Sequence, residues 1–255
     1  MKLRVLGSSG GIGGALRTTS FLIDDDILID AGTGVGELSL AEMEKIRHVF
    51  LTHTHLDHIA CLPLMVDSMF PRIRQPIVIH AQAITIEVLQ EHIFNWHIWP
   101  DFATLPTESN PVMRYESLEP GDSCELDGRR FEMIAVNHIV PTVGYCVISA
   151  DGGVLAFSGD TTSNDTFWEA LNRHNRLDTL IVEAAFVDAF EELSIKARHY
   201  CPRLLAEDLL KLRHRPRIYI SHNKPAEEES ILVELKAAVS DRELTPLIGG
   251  MELDI

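Results

Sequence analysis

Residues 53–58 read His-Thr-His-Leu-Asp-His. Four side chains able to ligate a metal fall within these six positions, directly after the apolar stretch His48–Leu51 and directly before Ile59–Met69, whose spacing is helical. Ligands at this density demand a particular backbone. At a strand end, alternate side chains lie on one side, so His53 and His55 point together. A turn into a helix then returns Asp57 and His58 to the same volume. One tetrahedral ion cannot take all four, because adjacent residues diverge, but two ions a few ångströms apart can share the segment. Imidazole and carboxylate donors favour zinc, with manganese or iron allowed. The alternative is a chance histidine-rich turn, which the strand and helix on either side argue against.

Two divalent ions need further ligands, and the fold must deliver them to the same place. The chain holds twelve histidines, so their positions matter. His138 follows a predicted strand, Arg130–Val136. Asp160 follows Val154–Ser158 in Ser158-Gly159-Asp160-Thr161, where the glycine permits a tight turn. His222 follows Arg217–Ser221. Any one of these is unremarkable alone. Together with the first cluster they complete two sites.

Further predicted strands are Lys2–Leu6, Thr19–Ile23, Ile27–Asp30, Ile77–His80, Val143–Ser149 and Thr179–Glu183. Predicted helices are Gly36–Lys45, Ile84–Phe94, Asn164–His174, Pro202–Arg213 and Ala226–Val239. Residues 95–112 read as irregular. Strands alternating with helices imply α/β layers, with sites at strand C-terminal ends. No repeat, linker or low-complexity tract interrupts the chain, so one domain over residues 1–255 is expected. No apolar run is long enough for a membrane helix, and the N-terminal residues lack a secretory pattern, so the expected location is the cytoplasm, away from membranes. Lys and Arg number 22 against 38 Asp and Glu, a net charge of −16, which opposes binding of long polyanions; no nucleic-acid partner is expected. Cys61, Cys124, Cys146 and Cys201 are scattered and form no disulfide or zinc-ribbon pattern.

One motif points elsewhere. Gly7-Ser8-Ser9-Gly10-Gly11-Ile12-Gly13 follows a strand and resembles a dinucleotide-binding loop. That chemistry requires a helix next, whose N-terminus holds the pyrophosphate. Here Thr18-Thr19-Ser20-Phe21-Leu22-Ile23 follows, β-branched and aromatic, and no Tyr-x-x-x-Lys pair occurs. A glycine loop beside a site is the expectation.

The set His53-x-His55-x-Asp57-His58, His138, Asp160 and His222, in this order, resembles the metallo-β-lactamase superfamily across essentially the whole chain. The resemblance implies an α/β fold, a four-layer αββα sandwich of metallo-β-lactamase type with two metals at the sheet edges. Carried over by position, it implies one site of His53, His55 and His138, a second of Asp57, His58 and His222, and Asp160 as the bridge.

Metal-activated hydroxide attacks phosphorus, esters, lactams and thioesters alike. Glu183 and His199 narrow the choice. A carboxylate that fixes a histidine's tautomer makes a general acid poised near neutral pH. The pair is similar to that of the RNase Z branch, where it protonates the leaving oxygen. Residues 92–102 (His-Ile-Phe-Asn-Trp-His-Ile-Trp-Pro-Asp-Phe), 136–138, 158–160, 183–186 and 221–225 are in turn similar to class II cyclic-nucleotide phosphodiesterases. Cys61 and the Asn164-Asp165 turn depart from that pattern. The resemblance implies hydrolysis of cyclic AMP or cyclic GMP to the 5′-monophosphate, with Asp57, Glu183 and His199 as the catalytic set and a small-molecule cyclic nucleotide as partner. A homodimer is compatible with it. An RNase Z-like endonuclease is the alternative enzyme, and a metal-binding scaffold the alternative outside catalysis. No residue is assigned to substrate binding. The aromatic run with Trp96, Trp99 and Phe102 is read first as a loop plug and second as a base-stacking wall. His97 is read as a surface residue, and Lys224 as solvent-facing.

Overall fold

The computed structural model describes residues 1–255. The first strands are β1 (Lys2–Gly7), β2 (Ser20–Ile23), β3 (Ile27–Ile29), β4 (His48–Phe50) and β5 (Ile77–Ala81). A small hairpin, β6 (Pro106–Thr107) and β7 (Asn110–Pro111), precedes β8 (Met113–Ser117), β9 (Ser123–Leu126) and β10 (Arg129–Ala135). Then come β11 (Val143–Ile148), β12 (Val154–Phe157), β13 (Thr179–Glu183), β14 (Arg217–Ser221), β15 (Leu244–Pro246) and β16 (Glu252–Asp254). The helices of the first half are α1 (Leu40–Met43), α2 (Leu56–Ile59), α3 (Leu62–Met69) and α4 (Ala83–His92). Those of the second are α5 (Thr166–Leu171), α6 (Glu191–Ala197), α7 (Pro202–Leu209) and α8 (Glu228–Ala238).

These strands make two seven-stranded sheets, β16-β1-β2-β3-β4-β5-β8 and β15-β14-β13-β12-β11-β10-β9. The apolar alternation of the strands explains why they stack. Phe131 and Met133 on β10 and Ile181 on β13 point inward, where they meet Leu3, Val5, Phe21, Ile29 and Phe50 of the other sheet. Their neighbours Ile134, Leu180 and Val182 point outward and pack with Trp168, Leu205, Leu209, Ile231 and Leu235 of α5, α7 and α8. On the far side, Leu28, Val49 and Ile79 pack with Leu62, Met65, Val66 and Leu89 of α3 and α4. Period-2 strands with two apolar faces, between amphipathic helices, give the four layers αββα.

The sequence shows no repeat, but the topology does. From β16 inward, the first sheet has three antiparallel pairings, then three parallel ones. From β9 inward, the second has the same series. The C-terminal ends of β4, β12, β13 and β14 are where the predicted site residues follow in the chain.

Several expected elements change. The helix expected at 36–45 is a 3-10 turn (Thr33–Glu37) followed by the single turn α1; Ser39 and Glu42 form a capping box that starts the second. The helix expected at 59–69 starts earlier, as α2, and restarts as α3 with Pro63 in its first turn. The helix expected at 202–213 ends at Leu209. Strands β8, β9, β15 and β16 were not expected; β8, β9 and β16 carry mixed or exposed side chains, and β15 spans only three residues. No helix is long and apolar enough to cross a membrane.

Candidate metal centre

Strand β4 is a short buried ladder, and the chain leaves it through Thr52 into His53. His55 sits at the N-terminal boundary of α2 in extended backbone, and Asp57 and His58 are its second and third residues. Strand end, turn and helix thus aim all four side chains at one volume. The ligand atoms of His53, His55, His138 and Asp160 all lie within 4.8 Å of one another, and so do those of Asp57, His58, Asp160 and His222. All seven residues singled out from the sequence therefore converge, and Asp160 belongs to both groups.

Neighbouring groups fix which nitrogen His138, His53 and His58 present. The Arg198 carbonyl can only accept, so His138 Nδ1 donates to it at 2.9 Å and Nε2 faces the site. Arg198 holds that carbonyl in place with left-handed backbone (φ 55°) and returns a guanidinium hydrogen bond to the His138 carbonyl at 2.8 Å. Thr52 Oγ1 donates to Asp30 at 2.9 Å, which leaves its lone pairs for His53 Nδ1 at 2.9 Å. His58 Nδ1 meets the Asp30 carboxylate at 2.7 Å. His138 Nε2 and His55 Nδ1 face each other at 3.3 Å.

For three of the imidazoles electrostatics push the same way. Burial holds His53 and His222 well below the usual imidazole value and brings His138 down to about 4, so all three stay neutral and keep a lone pair. Burial also opposes a charge on His58, but Asp160 and Asp30 on either side outweigh it and raise it well above its usual value. Burial works against ionised Asp160, yet the surrounding imidazoles of His222, His58 and His53 hold it well below the ordinary carboxylate range.

Would divalent ions suit this cavity? His53 Nε2, His58 Nε2 and Asp160 Oδ2 are buried and make no hydrogen bond within the protein. Such groups are costly unless something else satisfies them. Two clusters of imidazole and carboxylate donors, in which outer partners fix the tautomers of His53, His58 and His138, fit divalent metals.

Glu183 ends β13, fully buried, and its Oε1 accepts from His199 Nδ1 at 2.7 Å. Backbone N–H groups of Thr161 (2.8 Å) and Tyr200 (3.3 Å) donate to the same carboxylate. Burial disfavours charged His199, but the Glu183 carboxylate outweighs it and raises His199 above its usual value. The His199 ring stacks on His222, centroids 5.3 Å apart, and meets His138 edge-on at 4.8 Å. Its free Nε2 edge thus borders the two ligand groups.

The glycine loop runs into β2 with no intervening helix and is tied to the site. His222 N donates to the Ser8 carbonyl at 2.6 Å, and Gly10 N to the Asn223 carbonyl at 2.9 Å. A Cβ on Gly10 would stand 2.5 Å from the His222 carbonyl oxygen. Lys224 is half-buried and donates to the Gly10 carbonyl at 3.1 Å, which corrects the expected solvent-facing lysine. In the aromatic run Phe94 and Phe102 plug the outer core and Trp99 packs against them, whereas Trp96 and His97 are exposed. Asp30 went unnoticed in the sequence. Its signal was an acid directly after the apolar strand Ile27–Ile29, in Asp30-Ala31-Gly32.

A family model described as the Beta-lactamase superfamily domain matches residues 25–223. A probable 3′,5′-cyclic-nucleotide phosphodiesterase of Yersinia pestis is 26% identical over 206 residues, 72% of this chain and 58% of that protein. A 3′,5′-cyclic-nucleotide phosphodiesterase of Aliivibrio fischeri is 25% identical over 250 residues, 80% of this chain and 73% of that protein. The chain thus spans less than two thirds of the Yersinia relative. The crystal structure of unliganded yeast PDE1 superposes with a TM-score of 0.83 at 19% identity, covering 100% of this chain and 99% of that one, a likeness of fold. The family match runs from the last residues of the β2–β3 turn through His222, so it takes in every residue of the two ligand groups, and with the αββα layers it makes this chain a member of the beta-lactamase superfamily.

Proposed function

We propose that the chain is a two-metal phosphodiesterase that opens the ring of 3′,5′-cyclic nucleotides, cyclic AMP or cyclic GMP, to the 5′-monophosphate. The observation that carries this reading is the Glu183–His199 pair standing against two ligand groups that share Asp160. Relatives named as cyclic-nucleotide phosphodiesterases support it.

In this reading His53, His55 and His138 would hold one divalent ion and Asp57, His58 and His222 the other, with Asp160 belonging to both groups. When bound, the ions supply Lewis-acid polarisation of the phosphoryl group and an acidified water. The remaining work belongs to the chain. Asp57, less buried than His58, Asp160 and His222 of its own group, stands on the open side of that group and orients the nucleophile. His199 carries a proton on Nε2 while Nδ1–H is held by Glu183. As the bond from phosphorus to the ribose 3′-oxygen breaks, that oxygen takes the Nε2 proton, and the neutral imidazole is left for solvent to recharge. A ribose alkoxide is a poor leaving group, so this proton transfer contributes about 10²–10⁴-fold. Zinc is the favoured ion, with manganese and iron compatible with the same donors.

The RNase Z-like alternative uses the same groups on a polyanion, and the charge of −16 opposes it. The test is a panel of metal-loaded protein against cyclic AMP, cyclic GMP, bis-p-nitrophenyl phosphate and a tRNA precursor. Cyclic-nucleotide turnover without precursor cleavage is expected. Precursor cleavage without cyclic-nucleotide turnover would replace the proposal by the alternative.

A further inference from the structure

A second buried carboxylate lies behind the acid pair. Asp208, near the end of α7, is almost fully buried. Its Oδ2 accepts from Tyr200 Oη at 2.7 Å, Trp168 Nε1 at 3.0 Å and the Asn164 backbone N–H at 3.1 Å. Its Oδ1 takes the Lys211 ammonium at 2.8 Å. Donors from three other stretches of chain therefore meet one side chain. Nothing in the local requirements of α7 calls for this, because Asp208 caps no helix end.

The two stretches nearest the centre lead on to the same atom group. Tyr200 is held at its hydroxyl by Asp208 and at its backbone N–H by Glu183 Oε2, at 3.3 Å. Asn164 is held at its backbone N–H by Asp208. Its Nδ2 donates to Thr161 Oγ1 at 3.1 Å, and Thr161 N donates to Glu183 Oε1 at 2.8 Å. Both of the backbone donors that orient the Glu183 carboxylate are thus linked to Asp208, one through Tyr200 itself and the other through Asn164 and Thr161. Glu183 in turn holds His199 Nδ1 at 2.7 Å.

We infer that Asp208 is a positioning residue for the general acid: by clamping Tyr200 and the Asn164 turn onto one carboxylate, it sets the direction in which Glu183 presents His199 to the substrate. This rests on the reading of His199 as the acid proposed above. Hydrogen bonds to a carboxylate are among the stronger ones, and side-chain networks of this kind act as a unit. A group acting through another carries part of that group's effect, so the expected loss is smaller than for His199 itself.

The test compares Asp208→Asn and Tyr200→Phe with His199→Ala in the metal-loaded full chain. Asp208→Asn keeps the size and one acceptor but turns an amide NH2 toward either Lys211 or the Tyr200–Trp168–Asn164 donors. Tyr200→Phe removes one link and leaves the Tyr200 backbone untouched. For both we expect kcat with cyclic AMP to fall about 10–100-fold, the range for outer residues that orient a functional group. With bis-p-nitrophenyl phosphate, whose leaving group needs no proton, we expect less than about a threefold change and two metals per chain retained. A second readout needs no substrate. The His199 Nδ1 proton, held by Glu183, gives a downfield 1H resonance protected from solvent, and both variants should speed its exchange about tenfold or more. Where His199→Ala is selective, equal losses on the two substrates in the variants would overturn the inference, and wild-type exchange of that proton in both variants would overturn it in any case. If His199→Ala shows no selectivity between substrates while the exchange effect persists, the proposed acid fails and the positioning role stands. If His199→Ala is selective and both variants behave as wild type, only the positioning role fails.

Discussion

Asp30→Asn should empty one of the two proposed metal positions and spare the other. Asp30 is fully buried, and its oxygens are committed: Oδ1 accepts from Thr52 N at 2.8 Å, and Oδ2 meets His58 Nδ1 at 2.7 Å. Asparagine at this position is the same size, yet only one of its two terminal atoms accepts. Thr52 N is a backbone donor that cannot change, so the amide oxygen must stay there and the amide NH2 must face His58 Nδ1. His58 can then pair with it only by moving its own proton to Nε2, the nitrogen that faces Asp57, Asp160 and His222. A protonated Nε2 cannot ligate. The cost of restoring the ligating tautomer is the loss of one buried hydrogen bond, about 1–3 kcal/mol, or roughly 10–100-fold in affinity at that position. His53, His55 and His138 do not touch Asp30 and should hold their ion as before. Graded chelation followed by elemental analysis is the assay. Wild type should release its two ions over one range of chelator, whereas Asp30→Asn should pass through a plateau at one ion per chain. Asp30→Ala is the harsher case: it strips Thr52 and His58 together, and breaking a buried pair costs about 3–5 kcal/mol, visible as a lower melting temperature. Two ions held with wild-type affinity in Asp30→Asn would refute the tautomer argument.

Gly10→Ala places a methyl 2.5 Å from the His222 carbonyl and 3.1 Å from its ring, so His222 must shift; we expect at least a tenfold loss of turnover with little change in melting temperature, read by steady-state kinetics and thermal denaturation. Asp160→Ala should lower turnover more than Asp57→Ala or His222→Ala, because it serves both ligand groups; metal content beside kcat checks the order. His80 is fully buried, stacked on Phe50, and burial lowers it to about 3. Below the ordinary imidazole value the unfolded chain binds a proton that the folded chain refuses, so stability falls as pH drops from about 6.5 toward 3, by up to about 1.4 kcal/mol per pH unit. His80→Gln should make that slope shallower by the His80 share in urea unfolding measured across the window.

The sequence made the ligands legible because they stand beside strong punctuation. Each of His53, Asp160, Glu183 and His222 ends or follows a buried β run, and period 2 gives way there to a turn. The strands of the sheet centres were legible for the same reason. What stayed hidden was whatever depends on a partner far along the chain. Strand β16 is three residues long with two of them exposed, and it exists because β1 pairs with it from some 250 positions away. Asp30 resembles any acid in a turn until Thr52 and His58 fold onto it. Lys224 reads as a surface lysine until the glycine loop turns its Gly10 carbonyl toward it. The aromatic run divides between core and surface because Phe94 and Phe102, with Trp99 packed beside them, meet the outer core of the first sheet while Trp96 does not.

The repeated sheet pattern explains why two acids so alike in setting differ in role. Counting pairings from the antiparallel edge, β3 in the first sheet corresponds to β12 in the second: each is the strand where antiparallel pairing gives way to parallel. Each is followed by an acid at a left-handed bend, Asp30 with φ 58° and Asp160 after Gly159 with φ 61°. The two carboxylates thus reach the same edge from opposite sheets, and His58 stands between them, Nδ1 at 2.7 Å from Asp30 and Nε2 at 3.3 Å from Asp160. Their surroundings then separate them. Thr52 and His58 engage both oxygens of Asp30, so it has no acceptor left for a metal and acts only on His58. Asp160 keeps Oδ2 without a hydrogen bond, in a ring of imidazoles that favours its charge. A single topology therefore supplies two equivalent acids, and Thr52 decides between them. It follows that Thr52→Val, which removes the hydroxyl but keeps the backbone N–H, should free one acceptor on Asp30 and loosen His53 Nδ1 at once. Both ligand groups should then weaken together, unlike the one-sided loss from Asp30→Asn. Graded chelation of the two variants side by side separates these outcomes, and a one-ion plateau in Thr52→Val would show that the hydroxyl serves only one of the groups.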